Sequence, residues 1–146
     1  DAAAFDAIGA STEEDGMMSI VNVVLGGEAA RLGPELARLR QLGLNPVGVL
    51  LAFERRVAQL AALSARLGPG GDPRALIEAE KAARRINWKD ERDLKTQLAR
   101  WRGKRLERLV AKIAGLHRQL LGHSQDAELL LSQGLAEIAR ASSARN

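Results

Sequence analysis

The chain has no cysteine, no tyrosine, and only two phenylalanines, two tryptophans and two histidines in 146 residues. Without cysteine there is neither a disulfide framework nor a thiolate metal site. His117 and His123, with no His-Glu-x-x-His arrangement, fall short of the three or four converging ligands a zinc centre needs. Long hydrophobic runs are absent too. The longest, Val47 to Phe53, is far too short to span a bilayer, and no signal peptide is visible. These absences fit a cytoplasmic protein that touches no membrane. The first residue is Asp1 rather than Met, so the sequence reads as a piece of a longer protein.

What is present is helix-forming. Leu, Ala, Arg and Glu dominate, β-branched residues are sparse, and no segment has convincing strand alternation. The expected fold is all-α, a single helical bundle of about six to seven helices, over residues 1–141. Residues 1–12 read as a junction with an upstream domain and 142–146 as a frayed tail. The clearest local signal is Leu36 to Leu51: an amphipathic helix, Gly43 as its left-handed stop, then Asn45-Pro46 as cap and first position of a second, more apolar helix. Asp72-Pro73 repeats the cap-then-proline signal. Before these, Asp1 to Ala10 can form a short helix packing Phe5 and Ile8. Asp15 can cap a helix burying Met17, Ile20, Val21 and Val24. The next helix shows Ala29, Leu32, Leu36 and Leu39 inward and Arg31, Glu35 and Arg38 outward, with a kink or break expected near Gly33-Pro34. After Trp88, helices are expected over about 90–100, with Leu94, Leu98 and Trp101 inward, and over about 104–121. In the latter, Leu106, Leu109, Ile113, Leu116 and Leu120 follow a 3-4-3-4 spacing, and Gly115 is a point of possible close helix approach. A last helix holds Leu130, Leu131, Leu135 and Ile138, fraying from Ala141.

The net charge of +4 is unevenly spread. From Arg84 to Lys112, eleven Lys or Arg against four Asp or Glu leave +7. Such a block can hold phosphates or an acidic neighbour, or can simply be a solvated helix surface. Trp88 stands inside it, with Arg84 and Arg85 before and Lys89 and Arg92 after. A ring among cations can stack on a nucleobase while the charges hold phosphates. The alternative is that Trp88 plugs a gap between two helices, as tryptophans are mostly buried.

Other candidate chemistry is weak. Gly68 to Gly71 has no preceding strand and no following Lys-Ser/Thr, so it is not a phosphate cradle. Glu13, Glu14 and Asp15 sit before a helix start, where negative charge is favoured by the helix dipole. No catalytic constellation, and no cofactor, is indicated.

Taken in order, three stretches resemble a known family. The first runs from Phe5 to Gly9 and through Met17 to Gly27: an acidic loop, then an apolar helix ending in small residues. The second is Leu39 to Leu51, followed by Glu54-Arg55-Arg56 as an arginine-bearing turn. The third is Arg84-Arg85-Ile86-Asn87-Trp88-Lys89 before helices holding Leu94, Leu98, Leu106 and Leu109. This succession resembles the C-terminal collar domain of the delta subunit of the bacterial DNA polymerase III clamp loader, from about Phe5 to Ala141. Arg118-Gln119-Leu120-Leu121-Gly122 departs from the family, which often has a lysine with polar neighbours there. The resemblance implies a non-catalytic oligomerisation domain, within a holoenzyme that is a DNA-directed DNA polymerase. Its implied partners are the other clamp-loader subunits, with DNA contact through Arg84, Arg85, Trp88, Lys89 and Arg92. The sliding clamp would be reached only through upstream domains. The competing expectation is an independent helical nucleic-acid-binding module using residues 84–112.

Overall fold

A computed structural model describes residues 16–143. They form seven α-helices and three short 3-10 turns, with no strand among the described residues. The all-α bundle expected from composition is therefore the fold. Helix α1 covers residues 16–25, α2 Leu32–Leu42, α3 Pro46–Leu67, α4 Pro73–Ala82, α5 Glu91–Arg100, α6 Lys104–Gly122 and α7 Ala127–Ser143. The helix expected over Asp1 to Ala10 and the Asp15 cap lie outside the described residues.

The punctuation follows the sequence closely. Gly43 ends α2 at φ 66°, with its N–H on the Arg40 carbonyl and the Leu44 N–H on the Leu39 carbonyl. Asn45 caps α3 by accepting the Val47 N–H at 2.8 Å, and Asp72 caps α4 by accepting the Arg74 N–H at 3.0 Å. Both are followed by a proline at the first helical position, where no donor is missed.

Helix α3 is the central strut, packed on α5, α6 and α7. It runs antiparallel to α6, since Glu54 meets His117 while the Gly68 carbonyl meets Arg102. Helix α7 runs back along α6, and α4 pairs with α5. Helix α1 is sunk among them, with Ile20, Val21, Val24 and Leu25 fully buried. Its last carbonyl, on Leu25, accepts from Trp101 Nε1 at 2.9 Å and from Ser142 Oγ at 3.0 Å, so a helix end that would otherwise be a buried orphan is satisfied. Trp101 is thereby the core residue its spacing with Leu94 and Leu98 predicts.

Five expectations are corrected. No kink occurs at Gly33-Pro34. Instead a 3-10 turn over Ala29–Arg31 leads into α2, whose first turn contains Pro34 and has no donor to lose there. Glu35 faces inward, bonded by Ser19 Oγ at 2.9 Å and Arg38 at 2.7 Å, while Ala29 is exposed. Glu54-Arg55-Arg56 is not a terminal turn but lies mid-helix in α3. Helix α7 continues through Ser143, because Ser142 is held inside by Leu25. Close helix approach occurs at Gly134, not Gly115: a Cβ at Gly134 would lie 2.7 Å from Leu116 Cδ2, whereas one at Gly115 would meet only Arg118 at 3.7 Å.

Candidate functional site

The turn after α4 carries the first candidate. Asn87 Oδ1 accepts the Lys89 N–H at 3.0 Å and starts the 3-10 turn Trp88–Asp90. Trp88 is 70% exposed, so it does not plug a helix gap. Lys89 Nζ sits 5.9 Å from its ring centroid, the outer limit of a cation–π contact. Behind the turn, Asp90 Oδ1 lies 3.4 Å from Arg56 Nη2. Arg56 is only 3% exposed and is fixed by Asn22 Oδ1 at 2.8 Å and Gln97 Oε1 at 2.9 Å. Burial pushes the Arg56 guanidinium below its usual value, and Asp90 and Asp93 pull it partly back. The Trp88 turn is thus bolted to the core from below.

The five residues predicted for this site divide. Arg84, Arg85 and Trp88 line one open concavity, together with Lys81 and Asn87, and Lys89 adjoins the ring. Arg92 lines a different concavity, with Arg74, Lys95 and Thr96. Arg85 is tied to Glu80, a fully buried carboxylate that Arg66 also contacts. Nor is the +7 segment one continuous electrostatic face. Six of its eleven cations are engaged inside the fold: Arg85 on Glu80, Lys95 on Glu78 and Glu91, Arg102 on the Gly68 carbonyl, Lys112 on Glu137, and Arg100 and Arg105 on the last carbonyls of α7. The last two do what cations at a helix C-terminus do, completing orphan acceptors and opposing the dipole.

A second candidate was not visible in the sequence as a site. The outward sides of α3 and α6 form an apolar groove lined by Ala58, Ala61, Val110 and Ala114, with Glu54, His117 and Arg118 toward one end. His117 Nδ1 pairs with Glu54 there. Leu51 and Leu121, on the same two helices, are 38% and 65% exposed. The groove holds about 460 Å³, within the range of small-molecule sites. Its polar groups are confined to the Glu54, His117 and Arg118 end, where His117 and Glu54 already pair with each other, and its long open apolar walls suit a row of side chains from another helix better. Among the described residues no group of His, Asp and Glu is arranged to hold a metal ion. No helix is long and apolar enough to cross a membrane. No protein-family model, curated protein or solved structure matches the chain.

Proposed function

We propose that this chain is a helical assembly domain, the collar part of a delta-type subunit of the bacterial DNA polymerase III clamp loader. In this reading it joins sister subunits and contributes no reaction chemistry of its own. The observation that carries it is the α3–α6 groove. Val110, Leu121 and Leu51 are exposed on the two helices that form it, and alanines line its walls, leaving an apolar strip that the core of the described residues does not use. The order of elements, from the Gly43 stop and Asn45-Pro46 start to the break at Ile86–Trp88, supports the same assignment through the family resemblance.

The test is sedimentation velocity of the chain mixed with the remaining clamp-loader subunits of the same genome. Co-sedimentation is expected, and it should be lost in Val110→Asp, whose fold should stay within about 0.5 kcal/mol of the parent because the position is exposed. A parent chain that sediments separately from all of those subunits would overturn the assignment.

A second role, contact with nucleic acid through the Trp88 turn, is favoured by one specific observation: the ring stands in solvent beside cations, on a turn anchored to the core. It uses a different part of the surface from the groove, so the two roles are compatible. Arg92 belongs to it less directly than Arg84, since it opens onto another concavity.

A further inference from the structure

We infer that the outward face of α6 is a self-association surface, on which a second copy of this chain lays its own α6 antiparallel, with Glu107 of each copy on Arg118 of the other. The inference does not need the clamp-loader reading. The two share Val110 and Ala114, so self-pairing competes with any other occupant of the groove.

Helix α6 carries two stripes. Leu106, Leu109, Ile113, Leu116 and Leu120 are buried on the side of α3 and α7. Lys104, Glu107, Ala111, Ala114, Arg118 and Leu121 are all exposed. This second stripe steps 3-4-3-4-3, the spacing that keeps one face of a helix against a partner helix. It is offset by two residues from the first, about 200° around the helix, so it points away from the core.

The order of residues along the outer stripe selects the occupant. Glu107 and Arg118 stand three turns apart, about 16 Å, at the two ends of an apolar middle made by Ala111 and Ala114 with Val110 beside them. Among the described residues neither charge has an ion pair. At the polar end of the groove Glu54 is already paired with His117, so it leaves Arg118 to an incoming carboxylate. Turned end for end about the midpoint between Ala111 and Ala114, the stripe matches itself. Glu107 faces Arg118 of the second copy, Ala111 faces Ala114, and Lys104 lays its methylenes over the exposed Leu121. Each contact occurs twice, as a two-fold interface requires. A parallel arrangement would set Glu107 on Glu107 and Arg118 on Arg118, which is repulsive. The central alanines let the two axes approach to about 8 Å, the near end of ordinary helix packing. Self-complementary charge of this kind is what distinguishes a second copy from an unrelated partner.

The experiment is sedimentation velocity of the whole chain alone, from about 5 to about 500 µM, at low and high salt. A reversible monomer–dimer equilibrium is expected, weaker at high salt because the two ion pairs are exposed. Glu107→Arg and Arg118→Glu should each weaken the dimer by about 10- to 30-fold, since each turns both attractions into repulsions. Glu107→Arg combined with Arg118→Glu remakes both pairs, and should bring the dissociation constant back to within about 3-fold of the parent. Both positions are exposed, so the variants should melt with the parent. A parent that stays monomeric throughout, or a dimer indifferent to both single reversals, overturns the inference. A dimer that the double reversal fails to restore refutes the antiparallel register. Co-sedimentation with other subunits is read separately, so the assembly reading above can stand where self-pairing fails, and the reverse.

Discussion

The two sides of α3 invert the usual rule. Its inner side carries Arg56, 3% exposed, while its outer side carries Leu51, 38% exposed, and the alanines of the groove. The difference shows that polarity alone does not decide which side of a helix is interior; satisfied partners do. Arg56 is tolerated because Asn22 and Gln97 accept its hydrogen bonds and Asp90 pairs its charge, and Gln97 Nε2 donates in turn to Asn22 Oδ1 at 2.8 Å. These contacts tie α1, α3, α5 and the Trp88 turn at one point. Among the described residues the groove side has no such completion, which is the ground for proposing it as a surface for another protein.

The largest expected effect lies on the inner side. Arg56→Met leaves the buried Gln97 Oε1 without its donor, takes one of the two donors from Asn22 Oδ1 and releases Asp90, and should cost about 3–5 kcal/mol in urea unfolding. Val110→Asp on the groove side should cost no more than about 0.5 kcal/mol. Similar losses at the two sites would dissolve the contrast between a filled interior and an unpartnered exterior. Adding Asn22→Leu and Gln97→Leu to Arg56→Met should recover part of the loss, because well-packed apolar groups can replace a buried charged cluster once no polar partner is stranded.

The inner polar residues show where sequence reading succeeds and where it stops. Helix boundaries were legible, since Gly43, Asn45-Pro46 and Asp72-Pro73 each act through local backbone chemistry. So were the apolar stripes of α5 and α6. Glu35, Arg56, Glu80 and Gln97 were not recognised as interior, although each lies three residues after a buried apolar residue, namely Leu32, Phe53, Ile77 and Leu94. Helical spacing placed them on the buried side, but their partners come from other elements and cannot be found along the chain. The same reason hid the groove, which needs α3 and α6 side by side. It also made the +7 segment look like one surface, when its cations point to different elements. Trp88 was undecidable in another way, because a three-residue turn has no periodicity from which to read burial.

A smaller effect sharpens the inner–outer contrast with two glycines. Gly115, partly exposed on α6, has room for a methyl group, and Gly115→Ala should raise stability by up to about 1 kcal/mol through helix propensity alone. Gly134 is buried against Leu116, and a Cβ there would meet its δ-carbons at 2.7 and 2.9 Å. Overpacking of that kind costs about 1–3 kcal/mol, which exceeds the propensity gain, so Gly134→Ala should be net destabilising by about 1 kcal/mol. Opposite signs for one substitution on antiparallel neighbours, read from chemical unfolding midpoints, are the expected outcome. Equal gains at both positions would mean that α6 and α7 can part at no cost.

The smallest effect is in pH. Near the Arg56 cluster, desolvation raises the Asp93 carboxyl above its ordinary value, against the pull of Arg56 and Arg92. Elsewhere the direction is opposite: the Lys81 ammonium paired with Glu91 lowers its carboxyl, and a hydrogen bond from Lys112 lowers Glu137. The two depressed glutamates contribute stability that is present at neutral pH and lost as pH falls below the ordinary glutamate range through their lowered values. Asp93 has the reverse sign. Its contribution is full below the ordinary aspartate range and disappears as pH rises through its raised value, so its ionised form is a small burden at pH 7. Asp93→Asn should therefore be more stable than the parent at pH 7, by no more than about 0.5 kcal/mol because the site is partly solvated, and this advantage should vanish in acid. Glu137→Gln should instead flatten the acid limb of the stability profile. A variant at Asp93 that is less stable than the parent at pH 7 would show that the attraction of Arg56 outweighs desolvation there, and that the inner polar cluster extends one carboxylate further than its hydrogen bonds indicate.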